Sequence, residues 1–311
     1  MRYKLEKKWV DFIDSNGYRR IASGGVVSKI LKSDTYQNLN TYRRYLITSY
    51  KARQSQQLFS DVNSFCFFVG QTKSGSSLLG GLLDAHPNII ISDEVDVLKY
   101  VSKGFNRLQI FQLSLHTSKR EMMKGRVTAR RLEPYSFQVP GQWQGKFSKL
   151  LVIGDSTAGK STQKLANDPE LIKDISVVMD GISVKVVQVI RNPFDPISIM
   201  MIRGKRSFEN ALQHYFEDCD TLAKIRSELS PETLYSVRYE DFVISPQSQL
   251  SALCAFLGVE ATSDYLQSCA GIMSEIPDQS RHLVDWEPNW IEQVHTHISH
   301  YDFLAGYQFS D

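Results

Sequence analysis

The chemistry-bearing residues are densest in FCFFVGQTKSGSSLLGGLLDAHP, residues 65–87, where an apolar run opens into a loop holding Gly70, Lys73, Ser74, Gly75, Ser76 and Ser77. Small residues let backbone N–H groups approach an anion, and a helix starting near Leu78 would aim its positive end at the same point. Lys73 and the hydroxyls complete the donor set, so the stretch predicts a phosphate cradle. It is not a Walker A loop: Gly70 and Gly75 are correctly spaced, but Ser76 stands where that motif needs lysine. Gly80 and Gly81 then sit inside the helix, each at a cost of about 1 kcal/mol relative to alanine, which predicts close packing at both.

Two further stretches invite comparison. In VKVVQVIRNPFDPISIMM, residues 184–201, a buried strand would deliver Arg191 at its carboxyl end, where open α/β sheets bind ligands. An arginine buried there needs an anion, or a local carboxylate such as Asp195. Asn192-Pro193 and Asp195-Pro196 then turn the chain into a helical segment that carries Ser198 near its start. GDSTAGKS, Gly154–Ser161, does satisfy G-x-x-x-x-G-K-[ST], which would make Lys160 and Ser161 parts of a magnesium-dependent ATP site and the protein a P-loop kinase. The following TQKLANDPELIKD is polar and broken by Pro169, where a Walker loop should lead into a helix with an apolar face.

The elements that must hold these residues read as α/β. Continuous apolar runs at Phe65–Val69, Leu150–Ile153, Val184–Ile190 and Leu234–Val237 suit strands buried on both faces of a parallel sheet. Phe208, Leu212, Tyr215, Cys219, Leu222 and Ile225 recur at helical spacing. A second helix is bounded by Pro246 at its start and Gly258 just past its end. Residues 102–148, with weak periodicity, read as an insertion over the sheet.

Residues 65–87, 184–201, 234–258 and 280–309 together resemble the sulfotransferases that use 3′-phosphoadenosine 5′-phosphosulfate (PAPS), in particular the branch with the tyrosylprotein enzymes and many bacterial small-molecule enzymes. The similarity runs from about residue 65 to the end of the sequence. It implies a P-loop-like fold with a central parallel sheet flanked by helices, PAPS as donor with adenosine 3′,5′-bisphosphate (PAP) as product, and no metal. By resemblance, Lys73, Ser74, Gly75, Ser76 and Ser77 would grip the 5′-phosphosulfate, with Lys73 also acting as the electrophilic group beside the bridging oxygen. Arg191 and Ser198 would take the 3′-phosphate, Tyr239 of RYEDFVISP the adenine, and Arg281 a further phosphate contact. The tyrosylprotein branch uses a glutamate base shortly after the phosphosulfate loop, a spacing that falls on Glu94 in SDEVD; Asp93 beside it should raise the carboxyl pKa. His86 is the other candidate base, but its place between Ala85 and Pro87 suits a structural role.

Three positions depart from the family pattern. The residue eight after the arginine, often a serine or threonine, is Ile199 here, with Ser198 one short; Ser156 stands where many members carry a second active-site lysine, a role that falls to Lys160; and Leu78 replaces a frequent tryptophan. The expected activity is transfer of a sulfuryl group to a hydroxyl or amine of an acceptor, a small molecule first and a peptide second; a non-catalytic binding protein on the same fold is the reading these departures would favour. Acceptor pockets are expected from residues 95–148 and 260–285. Phe105, Phe111, Tyr135, Phe137 and Trp143 would suit a flat or hydrophobic acceptor, and Asp93, Asp96 or Glu133 a cationic one.

Charge and composition set the remaining expectations. Of 36 Lys/Arg and 34 Asp/Glu, residues 1–60 hold twelve against four, a balance of +8, which leaves −6 for the rest. The basic stretch is interrupted by Trp9, Phe12, Ile13, Tyr42, Tyr45 and Leu46 at core-like spacing, and reads as a helical extension, residues 1–60, ahead of a sulfotransferase domain over 61–311. This arm can serve lid or homo-oligomer contacts; no nucleic-acid partner is expected. No leader-like run in the first thirty residues and no transmembrane-length apolar run predict a cytoplasmic chain. Cys66, Cys219, Cys254 and Cys269, with no C-x-x-C pair, suit buried thiols in a reducing compartment.

Overall fold

The computed structural model describes residues 33–127, 136–273 and 277–311. The chain divides into two compact units, one ending at Arg53 and the other spanning Gln54–Asp311. The described part of the first is a single helix, α1 (Asp34–Gln54), with Asp34 in its first turn and Lys51 and Arg53 in its last, the arrangement that complements the helix dipole.

The second unit is built on a parallel sheet. In chain order its elements are β1 (Ser64–Gly70), α2 (Ser76–Leu83), β2 (Ile89–Ser92), α3 (Val97–Val101), α4 (Arg107–Met123), β3 (Val152–Asp155), α5 (Ala158–Asn167), α6 (Leu171–Val178) and β4 (Ser183–Ile190). There follow α7 (Phe194–Gly204), α8 (Phe208–Glu228), β5 (Leu234–Arg238), α9 (Tyr239–Ile244), α10 (Pro246–Leu257), α11 (Ser263–Ala270) and α12 (Pro288–Ile298). The five strands lie in the order β2-β3-β1-β4-β5, all parallel. β1 is central, with Ser64 paired to Val152 on one side and Ser183 on the other. Every residue of β1 is buried: Phe65, Phe67 and Val69 enter one core, Cys66 and Phe68 the opposite one. That two-sided burial is why the strand runs as SFCFFVG without polar alternation.

Three of the four strands expected from the apolar runs agree with the structure to within a residue at each end, whereas β3 begins two residues later than Leu150. The fifth, β2, is four residues long, and its Ile-Ile-Ile run is too short to separate strand from buried turn by pattern. α10 spans Pro246–Leu257, with Gly258 closing it in the left-handed region at φ 83°. The expected insertion holds a 17-residue helix, α4, opened by a capping box between Asn106 and Gln109 and packed on β2 and β3. Its periodicity is weak because Gln109, Gln112, Ser114, Thr117 and Ser118 are buried among its apolar residues. The polar stretch after Lys160 is a helix after all. α5 buries small residues, Ala158, Ser161 and Thr162, with Leu165, and the sequence reading looked for bulkier ones.

Gly80 lies against Ser156 and Gly81 against Phe137, the close contacts their presence inside α2 required. At the end of α2, Asp84 joins four segments. Its carboxylate accepts from Ile91 N (2.8 Å), Ser118 Oγ (2.8 Å) and Gly145 N (2.9 Å), and it pairs with Arg126. Both side chains are buried, so removing one partner strands the other's charge at a cost of about 3–5 kcal/mol. Asp84→Ala should therefore lose roughly that much unfolding free energy in a denaturant titration; a loss below about 1 kcal/mol would show that the pair is dispensable.

Candidate active site

Because the strands are parallel and adjacent, their carboxyl ends deliver the candidate residues in spatial order: Asp93 and Glu94 after β2, Ser156 after β3, the Gly70–Ser77 loop after β1, Arg191 after β4, and Tyr239 after β5. This is the edge on which open α/β sheets bind ligands. Gly70 and Tyr239, far apart in sequence, thus reach one rim.

The loop after β1 is held open from outside. Thr162 Oγ1 of α5 accepts from Gly70 N (2.9 Å) and donates to Gly70 O (3.0 Å). Gly159 lies so close to Thr72 that a Cβ there would meet Thr72 Oγ1 at 2.5 Å. Lys73, exposed, takes a left-handed backbone at φ 75°, and Gly75 follows at φ 100° as the N-cap of α2. A Cβ on Gly75 would meet Tyr239 Cδ2 at 2.5 Å, so the tyrosine ring rests on bare backbone. Ser74 is fully buried with its Oγ lacking a hydrogen-bond partner, while Ser76 and Ser77 are half-buried.

Across the rim, the Arg191 guanidinium stands 4.6 Å from the centre of the Tyr239 ring. Its Nη1 donates to Lys73 O (3.2 Å), its Nη2 donates to Asp278 O and lies 3.6 Å from that carboxylate, and its Nε is 3.8 Å from Asp195. The local pairing with Asp195 expected as an alternative is thus present, but Asp195 is shared. It also accepts from Arg281 N (2.9 Å) and lies 3.5 Å from Arg281 Nε. Arg191, Arg281 and Asp195 are all at most 3% exposed, whereas the Asp278 side chain is 38% exposed at the rim. Two buried guanidiniums face one buried carboxylate, and the Nε atoms of both have no hydrogen-bond partner. Burial raises the Asp195 carboxyl above its ordinary range, and the two arginines pull it back.

The remaining candidates are distributed unevenly. Arg281 points away from the loop, its Nη groups donating to Gln308 O (3.4 Å) and Asp311 O (2.8 Å). Ser198 is buried on α7 and accepts from Trp286 Nε1 (3.1 Å). Lys160 is exposed on the first turns of α5. Glu94 is exposed, in a left-handed backbone at φ 61°. The carboxyl that burial raises is its neighbour Asp93, with Glu94 as the next cause; Asp93 accepts from Ser77 Oγ (3.2 Å) and Ser156 Oγ (3.3 Å) and so fastens the Glu94 turn to α2 and β3. His86 is a bridge: its Nδ1 accepts from Asn88 N (3.1 Å) and its Nε2 donates to Glu260 O (3.0 Å), with burial pulling its pKa down.

Sequence reading missed the groups that orient this edge. Asp155, at the end of β3, accepts from Ser92 Oγ (3.0 Å), Val95 N (3.1 Å), Asp96 N (2.9 Å) and Val97 N (3.4 Å), gathering the whole turn that carries Glu94. Burial pushes its carboxyl up to about 6, against these donors, so it is ionised and accepting at neutral pH. Glu240, next to Tyr239, accepts from Asn192 N (2.9 Å) and Tyr307 OH (2.6 Å), fixing the turn after Arg191. The carboxylate adjoining Tyr239 in RYED and the one ending an apolar run were the available signals. Of the aromatics expected to face an acceptor, Phe105, Phe111 and Phe137 are buried in the cores, Trp143 is exposed, and Tyr135, with Glu133, lies outside the described residues. Asp96 pairs with Lys164 at 3.7 Å.

A phosphate-type loop after the central strand of a parallel sheet, beside a buried arginine from the next strand, defines the P-loop-like α/β class. Within it, the family model for the sulfotransferase family matches residues 66–264, and the chain belongs to that family. Solved structures with a similar chain path include the sulfotransferase domain of the Synechococcus PCC 7002 olefin synthase, with 17% identity over 78% of this chain and 96% of that one, at a TM-score of 0.48. The sulfotransferase domain of the curacin biosynthetic pathway has 19% identity over 78% and 99%, at 0.47, and a sulfotransferase from Alicyclobacillus acidocaldarius 17% over 79% and 96%, at 0.43. No curated protein matches the chain. The Walker-like string packs on the Gly70–Ser77 loop: only Ser156 and Thr157 separate β3 from α5, and Thr72 fills the space beside Gly159.

Among the described residues no helix is long and apolar enough to cross a membrane, and no cluster of three His, Cys, Asp or Glu could hold a metal ion. The four cysteines are buried and unpaired.

If Asp155 sets the Glu94 turn, Asp155→Asn should misplace it. A displacement of this kind costs up to about 10²-fold in kcat. Nucleotide affinity, measured by calorimetry, should hold; a variant with wild-type kcat would show that the turn stands without Asp155.

Proposed function

We propose that the protein transfers a sulfuryl group from PAPS to a hydroxyl or amine of a small-molecule acceptor. The observation that carries this reading is the pair of buried guanidiniums, Arg191 and Arg281, that share one buried carboxylate beside the Gly70–Ser77 loop, in a chain of the sulfotransferase family. The residues present fit such a donor. Arg191 Nε and Ser74 Oγ are buried without hydrogen-bond partners, and the ring of Tyr239, in reach of both the loop and the guanidinium, offers a face for a base. PAPS supplies the activated sulfuryl group when bound.

This chain's own residues then divide the work. Lys73, Ser76, Ser77 and the backbone N–H groups at the start of α2 hold the 5′ end and stabilise negative charge that builds on the leaving phosphate. Arg191 takes the 3′-phosphate, and Arg281 acts through Asp195, steadying that guanidinium from behind. Ser198 keeps its bond to Trp286 and contributes to the shape of the same end. Glu94 is the base that accepts the acceptor's proton at its carboxylate, and Lys160, one strand end away, adds positive charge to the acceptor side. No metal is required, because lysine and arginine supply the charge that a magnesium ion supplies elsewhere.

Calorimetric titration with PAP and with Mg-ATP tests the reading directly: PAP should bind and Mg-ATP should not, and the reverse result would overturn it. Glu94→Gln should lower kcat by about 10²–10⁴ while leaving PAP affinity nearly intact; an unchanged rate would remove Glu94 as the base. Arg191→Lys keeps a cation for Asp195 but loses the two-pronged donor, so PAP affinity should fall about tenfold or more while that for adenosine 5′-phosphate holds. Equal losses for the two nucleotides would place the 3′-phosphate elsewhere.

A further inference from the structure

The acceptor side has its own structure. A cleft of about 340 Å³ opens between the end of α7 and the first turns of α8, lined by Arg206, Asn210, Gln213, His214 and Glu217. It is connected to the reaction edge by α5. At one end of that helix, Gly159 packs on Thr72, next to Lys73, and Thr157 Oγ1 accepts from Asp96 N (3.3 Å) in the turn that carries Glu94. Further along, Gln163 Nε2 meets His214 Nε2 at 3.4 Å, at the wall of the cleft. Lys160 and Gln163 are neighbours on the helix surface, roughly 5 Å apart along its axis. An elongated acceptor whose reacting end lies by Lys73 and Glu94 can therefore run along the exposed side of α5 past Lys160 into the cleft.

The chemistry of the lining says what its far end carries. Arg206 is exposed; its backbone N–H donates to Met200 O (3.4 Å), and its guanidinium makes a long contact, 4.0 Å, to Met200 Sδ. Among the described residues neither Arg206 nor Lys160 has a carboxylate within 4 Å. The one acid in the lining, Glu217, accepts from Gln213 Nε2 (2.7 Å). Burial and the nearby Arg206 pull the His214 pKa down, leaving a neutral imidazole that can donate or accept. Asn210 and Gln213 add amide groups. Arg206 acts on the buried Asp218 carboxyl only from beyond ion-pair distance, as Lys160 does on Asp96, so its planar guanidinium is open to a carboxylate. Phe105, Phe111 and Phe137, expected to face a flat hydrophobic acceptor, are buried in the cores.

We propose that this cleft anchors the acceptor by a carboxylate distal to the hydroxyl or amine that is sulfated, with Arg206 as the recognising residue. The assignment rests on the sulfuryl-transfer reading for the identity of the reacting end, but the cleft's preference can be read without turnover. Calorimetry with a long-chain terminal hydroxy acid, its methyl ester and the matching amino alcohol should give tightest binding for the acid. The ester should be about tenfold or more weaker, as expected for losing a charged hydrogen-bonded pair. Arg206→Ala should erase the difference between acid and ester, and Arg206→Lys should restore part of it. Arg206 is exposed, so both variants should keep the wild-type melting temperature. Equal binding of acid and ester, preference for the amino alcohol, or an acid preference that survives in Arg206→Ala would each overturn the assignment. PAP is titrated separately: its failure to bind would sink the donor reading, while the acid-to-ester ratio on the nucleotide-free protein still decides the cleft.

Discussion

Arg191 leaves the end of a central strand and turns inward, and a guanidinium with 3% exposure must be answered by negative charge. Much of this molecule's architecture follows from how that demand is met. Asp195 answers it in part, but Asp195 also faces Arg281, whose remaining donors are absorbed by carbonyls near the end of the chain. Tyr215 steadies the Arg191 carbonyl and Glu240 steadies the next N–H. Asp278 supplies a second carboxylate from the half-exposed rim, so Arg191 shares its one buried carboxylate and meets its other at the edge where a ligand could compete for it.

The sheet turns this local imbalance into a reaction edge. In the order β2-β3-β1-β4-β5, the phosphate loop and Arg191 leave neighbouring strands, while the carboxylates of Asp93 and Glu94 arrive at the far side from β2, two strands away from the loop. The end of β3, with Ser156, lies between them, and Ser77 of the loop reaches across to Asp93 (3.2 Å). Ser156 bonds to Asp93, and Lys160 supplies a cation from the next turn of structure. That places positive charge on α5, which also borders the polar cleft.

Legibility varied with how local each signal was. The strand, loop and helix at residues 64–83 could be read because burial on both faces, tight turns and the loop's donors are all written in consecutive residues. α5 was misread because its buried face is made of small residues whose value lies in letting Thr72 and Gly70 come close. Asp84 and Asp155 gave little sign of their importance, since they act on partners as far as 61 and 63 residues away; Asp195 was legible as a partner for Arg191 but not for Arg281, 86 residues on. Phe105, Phe111 and Phe137 looked like a binding surface by composition, yet the two cores on either side of the sheet take them in.

By itself the sequence determined the kind of fold and the family, because runs of buried β-branched and aromatic residues and a glycine-serine-lysine turn impose their conformations within a few residues. Only the tertiary structure decided which of those groups share an edge: that Arg191 and Arg281 share Asp195, that the Walker-like string packs on the Gly70–Ser77 loop, and that a polar cleft adjoins α5. Those outcomes depend on strand order and on contacts across the sheet, and a parallel sheet assembles its edge from residues that no local pattern connects.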